Sequence, residues 1–326
     1  MSYTRKSLED LNVLDDFLIN AVASDPEVGI PFCRTLLSVL LQREIGEIHV
    51  IAQRTIPALT PNMRGIRMDV EIEELTHDTD YDNKSMHVPE TTLQNSGLST
   101  SDKKIPYICN VYDIEPHTQN NINLPKHNRF YQAKIDSRYM HSGDKSFDKM
   151  PDLYMLTITN YDPFGYDYMM YTVRNQCVEV PSMNYRDGVH MIYFNTKGTK
   201  GGCKDIRSML KYLQTSTQSN ATDAATQTIH DYVSSVKLQP EVRLEYMKFD
   251  DIIYFAQRDA EKEAILSTRI QDIYELLEDY GDIPEALKDY LNTQTDVNIL
   301  SKWLKLAAHA ASMEDFMEQI GCTITV

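Results

Sequence analysis

Two stretches constrain the fold most. Gly65 to Ile72 reads GIRMDVEI, and Val111 to Thr118 reads VYDIEPHT. Strict alternation of apolar and polar residues is the signature of a β-strand with unlike faces, because successive side chains point to opposite sides. In the first stretch Ile66, Met68, Val70 and Ile72 face one way, and Arg67, Asp69 and Glu71 face the other. In the second, Glu115 and His117 share a face and Pro116 lies between them. A proline donates no ladder hydrogen bond, so the ladder is expected to end, or to lie at an edge, near that residue.

Around these strands the order is helices, a strand-rich middle and a helical end. Ser7 to Ala23 has apolar residues at helical spacing, and a second helix is expected from Pro31 through CRTLLSVLLQ. Glu47 to Gln53 reads as a strand, as do Pro106 to Glu115, Leu153 to Thr159, Met169 to Val173 and His190 to Phe194. Leu124-Pro125 opens a helix running to Met140, with proline in its favoured first turn. Tyr131, Ile135 and Tyr139 form its apolar stripe, and Lys126, Arg129, Gln132 and Asp136 lie together on another face. Helices are expected over Ile206 to Leu213 and Ala221 to Val236, and past Glu241 the pattern is wholly helical. Glu73 to Lys104 is polar without period and reads as an insertion loop. The expected division is residues 1–240, an α/β domain carrying that insertion, and 241–326, a helical region.

Composition removes several classes. No apolar run approaches the ~20 residues of a membrane helix, and the charged N-terminus lacks the apolar core of a signal peptide. Five scattered cysteines form no CxxC pair, so a cytoplasmic home without zinc or disulfides is expected. The net charge of −16 argues against a general nucleic-acid binder. More than half of it lies after Gln239, however, which leaves room for a local basic groove upstream.

Asp69 and Glu115 are the candidate chemistry. If their strands are neighbours, the two carboxylates come within reach of one hard cation. Mg²⁺ takes oxygen ligands and keeps several waters. The carbonyl of Pro116 is a candidate third ligand. On pattern alone, an Asp and a Glu on polar strand faces are ordinarily solvated surface charges. Asp78, Asp80 and Asp82 imitate the start of a calcium loop, but Asn83 stands where its glycine should be. NTKGTKGG, Asn195 to Gly202, lacks the GK[ST] of a phosphate loop and reads as a glycine-rich turn. No HExxH or GxSxG occurs. Trp303, Leu304 and Leu306 read as core or dimer contact.

GIRMDV, YDIEP, PKHNRFYQAKIDSRYM, PDLYMLTITNYDPFG and VHMIYFNTKG, in that order, resemble the PD-(D/E)XK nuclease family transposases, relatives of the bacterial recombination-promoting nucleases. The resemblance runs from about Leu11 to the C-terminus. It implies a restriction-endonuclease-like α/β core, a mixed sheet flanked by helices, with an α-helical C-terminal segment. It implies metal-dependent DNA endonuclease activity of low sequence specificity, with Mg²⁺ or Mn²⁺, in recombination, transposition or phage defence. Carried over by position, Asp69 and Glu115 match the catalytic, metal-holding acids. Arg129, Tyr131 and Gln132 match positions that support the site or touch phosphate. Arg67 and Lys126 join Arg129 and Tyr131 as candidates to contact DNA, Gln132 is counted with the catalytic set, and Asp16 is a further candidate acid.

The chain departs from the family pattern in two places. His117 stands where the superfamily has lysine and this branch often has glutamine. A neutral imidazole offers one donor and one acceptor instead of a fixed charge. The second departure is the Glu73 to Lys104 insertion. The alternative expectation is therefore a catalytically deficient relative that binds nucleic acid or a partner protein. Its partners would be DNA, with a homodimer left open, and no membrane.

Overall fold

A computed structural model describes residues 6–56, 65–76, 106–120, 122–140, 142–143 and 146–322. It is a mixed α/β structure with a six-stranded sheet flanked by helices and a helical C-terminal part. The strands are β1 (Glu47–Ala52), β2 (Thr55–Ile56), β3 (Ile66–Arg67), β4 (Val70–Thr76), β5 (Tyr107–His117), β6 (Asp152–Thr159), β7 (Met170–Val173) and β8 (Val189–Asn195). The sheet order is β1-β4-β5-β6-β8-β7, and β2 and β3 form a separate ribbon. β5, β6 and β8 run parallel, while β1–β4, β4–β5 and β7–β8 pair antiparallel.

The helices are α1 (Asp16–Ser24), α2 (Gly29–Leu41), α3 (Leu124–Asp136), α4 (Lys204–Gln214), α5 (Ala224–Lys237), α6 (Pro240–Glu278), α7 (Glu285–Asn292), α8 (Val297–Ala307) and α9 (Met313–Gln319). α1 and α2 pack against β1, and α1 also reaches β4. α3 makes the crossover between parallel β5 and β6, as such connections require. The Asn123 side chain caps it by accepting from the Lys126 N–H. Its stripe of Tyr131 and Ile135, with Tyr139 beyond its end, joins Val111, Leu153, Met155, Ile66 and Met68 in one buried cluster. The other face of the strands buries Val70, Ile72, Ile114, Leu156, Ile158 and Phe194. Both faces are thus covered, as a parallel-rich sheet demands.

The chain divides inside α6 into two compact units, Lys6–Tyr246 and the residues from Met247 onward. The second has its own core of Ile273, Leu277, Leu287, Leu291, Leu300 and Phe316, with Trp303 at its margin.

Several elements differ from expectation. Ser7 to Ala23 is not one helix: a 3-10 turn covers Leu8–Asp10, and α1 starts at Asp16. The Asp15 carboxylate accepts the Asn12 N–H at 2.7 Å, and the Asn12 amide oxygen accepts the Leu14 N–H at 3.2 Å. Such side-chain bonds compete with helical pairing. α3 ends at Asp136, short of Met140, and passes into turns closed by Arg138 N–H to the Ile135 carbonyl, 3.0 Å. GIRMDVEI is broken in two: Ile66–Arg67 pairs with β2, and Val70 begins a strand of the main sheet. Ile66 and Met68 therefore join the cluster of Val111 and Tyr131 while Val70 and Ile72 lie on the other face, not all four on one face as the alternation predicts. Gln53, at φ +53°, sits opposite the break, where its N–H donates to the Asp69 carbonyl at 2.8 Å. A non-glycine residue in that region marks a local distortion that re-aims neighbouring side chains.

Glu73–Thr76, read as the start of the insertion, belong to β4. The remainder of that segment, Asp78, Asp80 and Asp82 included, lies outside the described residues. β5 continues through Pro116, which pairs with Ile158 of β6. The β4 ladder has already ended at Val70–Ile114. Pro116 therefore lies in a stretch with one strand neighbour, where a missing N–H is tolerated.

Candidate functional site

The break before β4 places Asp69 beside Glu115. Val70 pairs with Ile114, so Asp69 stands opposite Glu115 one step beyond the ladder. The backbone N–H of Asp69 donates to Glu115 Oε1 at 3.3 Å. Glu115 is 5% exposed and Asp69 is half-buried. Period-two geometry puts Asp113 on the same face as Glu115, and Asp113 is fully buried. Neither of its carboxylate oxygens has a hydrogen-bond partner.

These acids shape one another's titration. Burial raises the carboxyl of Asp69 to about 6; the charge of Asp16 adds to this, while the Asn20 amide and Arg67 oppose it. Glu115 is pushed well above the usual carboxylate range by burial, then by Asp113 and Asp69. Asp113 is pushed well above it by burial, then by Glu71 and Asp69. Asp16, the first residue of α1, is raised by burial and by Asp15, with Arg67 opposing. Among the described residues, none of Asp69, Asp113 and Glu115 makes an ion pair.

His117 ends β5. Its pKa is lowered to about 4, by burial first and then by His127. The two imidazoles meet edge to face with centroids 5.1 Å apart, and Nε2 of His117 is buried without a hydrogen-bond partner. The His127 ring in turn lies 4.0 Å from that of Tyr131. At neutral pH His117 is uncharged.

The other candidates occupy different settings. Tyr131 lies in the core, and its hydroxyl donates to the Arg67 carbonyl at 3.2 Å, tying α3 to the segment before Asp69. Gln132 is half-buried and donates to Asp136 at 3.3 Å along the helix. Lys126 and Arg129 are exposed on α3, and Arg67 is exposed on β3. Pro116 is buried beside Glu115. The fold thus brings together Asp69, Glu115, Asp16 and, at the strand end, His117. Gln132 is hydrogen-bonded to Asp136 on its own helix.

Sequence reasoning missed Asp113, Asn20 and the residues that set the charge balance next door. Asp113 carried a usable signal: it lies two residues before Glu115 in an alternating strand. Further along the same face, Glu71 accepts both guanidinium nitrogens of Arg138, one at 2.9 Å, and Arg54 Nε lies 2.9 Å away. Glu73 accepts the Tyr139 hydroxyl at 3.1 Å and lies 3.6 Å from Arg54, Arg138 and His49. Burial pushes Glu73 up, but His49 and Arg54 beside it outweigh that and hold its carboxyl below the usual range. Glu71, expected on a polar face, is wholly buried. Its pairing with Arg54 and Arg138 is what makes that burial tolerable.

Among the described residues, no three His, Cys, Asp or Glu side chains converge closely enough to share one ion. The donor set still fits a hard divalent cation: two neighbouring carboxylates, Glu115 buried and Asp69 half-buried, with no paired cation among the described residues. Comparison with family models, with curated proteins and with solved structures finds no match in any of the three. Among the described residues, no helix is long and apolar enough to cross a membrane.

Proposed function

We propose that this chain is a metal-dependent DNA endonuclease of low sequence specificity, built on a restriction-endonuclease-like core as the PD-(D/E)XK resemblance implies. The observation that carries the reading is the approach of Asp69 to Glu115 across the end of the β4–β5 ladder, with neither side chain in an ion pair among the described residues. Asp69 and Glu115, with the Pro116 carbonyl, would hold Mg²⁺ or Mn²⁺. Bound there, the ion supplies charge neutralisation at a phosphoryl oxygen and a more acidic water.

The protein's own groups supply the rest. Asn20 and Arg67 favour the ionised form of Asp69 against the effect of burial. Asp16 adds negative potential behind it. His117, neutral, orients water or phosphate through one donor and one acceptor, because a base with a pKa near 4 accepts protons poorly at neutral pH. Arg67, Lys126 and Arg129 are exposed on neighbouring elements and would contact the phosphate backbone. Tyr131 ties α3 to the Arg67 segment from within, and Gln132 would assist from α3. Recombination, transposition and phage defence are the settings that suit such an activity, with a homodimer as the assembly to test.

The test is nicking of supercoiled plasmid with MgCl₂ or MnCl₂ by the purified chain, beside Asp69→Ala and Glu115→Ala. Nicking lost in both variants supports the enzyme. Nicking that survives both refutes this site. A second reading, a catalytically deficient relative that binds nucleic acid or protein, is favoured by the uncharged His117. No nicking by the parent, together with retention of DNA in a gel shift, would select it.

A further inference from the structure

Two loops leave the sheet beside the candidate site. β5, β6 and β8 are parallel, and His117, Thr159 and Asn195 stand in one row at their carboxyl ends. Ligands of open α/β sheets bind outside such ends. Residues 160–168 follow β6, and residues 196–203 lead from β8 into α4. The second loop therefore starts about 10 Å from His117, two strand spacings away. The loops are locked to each other by their own polar groups. The Asp162 carboxylate accepts the N–H groups of Phe164 at 3.1 Å and Asp167 at 2.6 Å, and the Tyr171 hydroxyl at 2.7 Å. The Asp167 carboxylate accepts the Thr199 N–H at 3.1 Å, and its carbonyl accepts the Lys200 N–H at 2.9 Å. A Cβ on Gly198 would lie 2.6 Å from the Tyr168 carbonyl oxygen, so glycine is what lets the loops close. Asp167, at φ +64°, holds a backbone form that non-glycine residues adopt at a cost.

What this strained pair presents to solvent is aromatic and basic. Tyr166 is 68% exposed and Tyr168 47%. Lys197, Lys200, Lys204 and Arg207 are exposed, against one exposed acid in residues 196–207, Asp205. The Lys200 ammonium donates to the Tyr166 carbonyl at 3.1 Å and lies 5.9 Å from the centre of the Tyr168 ring. The Arg207 guanidinium donates to the Gly201 carbonyl at 3.4 Å. Asp162 and Asp167 turn their oxygens onto the loops' own donors, which leaves the cations facing outward influence. In a chain of net charge −16 such a cluster is out of character. Exposed rings among basic side chains suit a single nucleic-acid strand, whose phosphates meet the cations while its bases stack on the rings. A duplex hides its base faces, so the rings can stack only where bases are unpaired. We propose that this loop pair holds the strand that runs on from the candidate site, with Tyr166 stacked on an unpaired base and Lys197, Lys200 and Lys204 on phosphates. The substrate class is then DNA with a single-stranded stretch beside the cut. This rests on the nuclease reading above and deepens it.

The experiment is fluorescence anisotropy of a labelled oligonucleotide, single-stranded or as its duplex, titrated with the full chain in chelator. The proteins are the parent, Tyr166→Ala, Tyr166→Phe and the double variant Lys197→Ala with Lys204→Ala. The parent is expected to hold the single strand more tightly than the duplex. Tyr166→Ala should weaken that binding about tenfold, as loss of one stacked base does, and Tyr166→Phe should keep it. The double lysine variant should lower the slope of log affinity against log salt by about 1.4, the share of two phosphates on a single strand. Equal affinity in the parent and Tyr166→Ala, or tighter binding of duplex than of single strand, overturns the inference. If the parent still nicks plasmid in either case, the nuclease reading stands. A parent that holds no oligonucleotide also overturns the inference, and if it nicks nothing the nuclease reading falls with it.

Discussion

One face of the β4–β5 pair carries five buried or half-buried acids in two opposite circumstances. Glu71 and Glu73 are met by Arg54, Arg138, His49 and Tyr139. Asp69, Asp113 and Glu115, a few ångströms along the same strands, have no ion-pair partner among the described residues. Glu71 and Glu73 lie within the β4–β5 ladder and Asp69 and Glu115 just past its end, and the cations gather on the first pair alone. The first half is finished as structure: removing a partner from a buried ion pair leaves an uncompensated charge. The second half is unfinished as structure, and such clusters are where ligand chemistry is found.

The largest effect that distinguishes the halves is on activity. Asp69→Asn and Glu115→Gln should each cut plasmid nicking about a thousandfold, because several kcal/mol of metal-assisted stabilisation is at stake. Glu73→Gln should leave measurable nicking in whatever fraction stays folded. Comparable loss per folded molecule in all three would erase the contrast.

The next effect is on stability. Arg138→Met should lower the unfolding free energy by about 3–5 kcal/mol, read from urea melts, because it strips Glu71 of its two-pronged partner. A loss under about 1 kcal/mol would mean that the paired half contributes less than its burial suggests.

Smaller, and opposite in sign between the halves, is the response to pH in chelator. The folded state of the unpaired half binds more protons than the unfolded chain, since Asp69 is raised to about 6. Its contribution is therefore present below the ordinary carboxylate pKa near 4 and is lost as pH rises through about 6. Glu73, held low, contributes above its ordinary pKa and loses that contribution as pH falls. Asp69→Asn should flatten the decline between about pH 4 and 6.5, by on the order of 1–2 kcal/mol. An unchanged slope in that variant would show that Asp69 is not the titrating group.

The smallest effect sharpens the comparison from outside it. Arg129 is exposed and belongs to neither half. Arg129→Ala should shift stability by no more than about 0.5 kcal/mol. It should also reduce the salt dependence of DNA binding by about one phosphate contact. A stability loss as large as that of Arg138→Met would make Arg129 structural.

Much of the sheet was legible because its signals are local. Alternation marked β5 and β6, and the Tyr131, Ile135 and Tyr139 stripe marked the buried side of α3. Legibility failed where side-chain bonds or a segment elsewhere in the chain overrode the local pattern. The Ser7 to Ala23 pattern gave no warning of the Asn12–Asp15 bonds that delay α1. GIRMDVEI shows no break, because the break lies opposite Gln53 in the turn after β1.

The amino-acid order by itself determined which residues share a face wherever a strand is unbroken: Glu71 and Glu73 on β4, Asp113, Glu115 and His117 on β5. Side-chain direction in a strand has a period of two and needs no knowledge of neighbours. Only the tertiary structure decided which of these acids would be neutralised. Arg138 comes from the turn after α3, 67 residues from Glu71, and Arg54 from the turn beyond β1. Charge compensation depends on distances between segments far apart in the chain, and those distances exist only once the sheet and its helices have closed on one another.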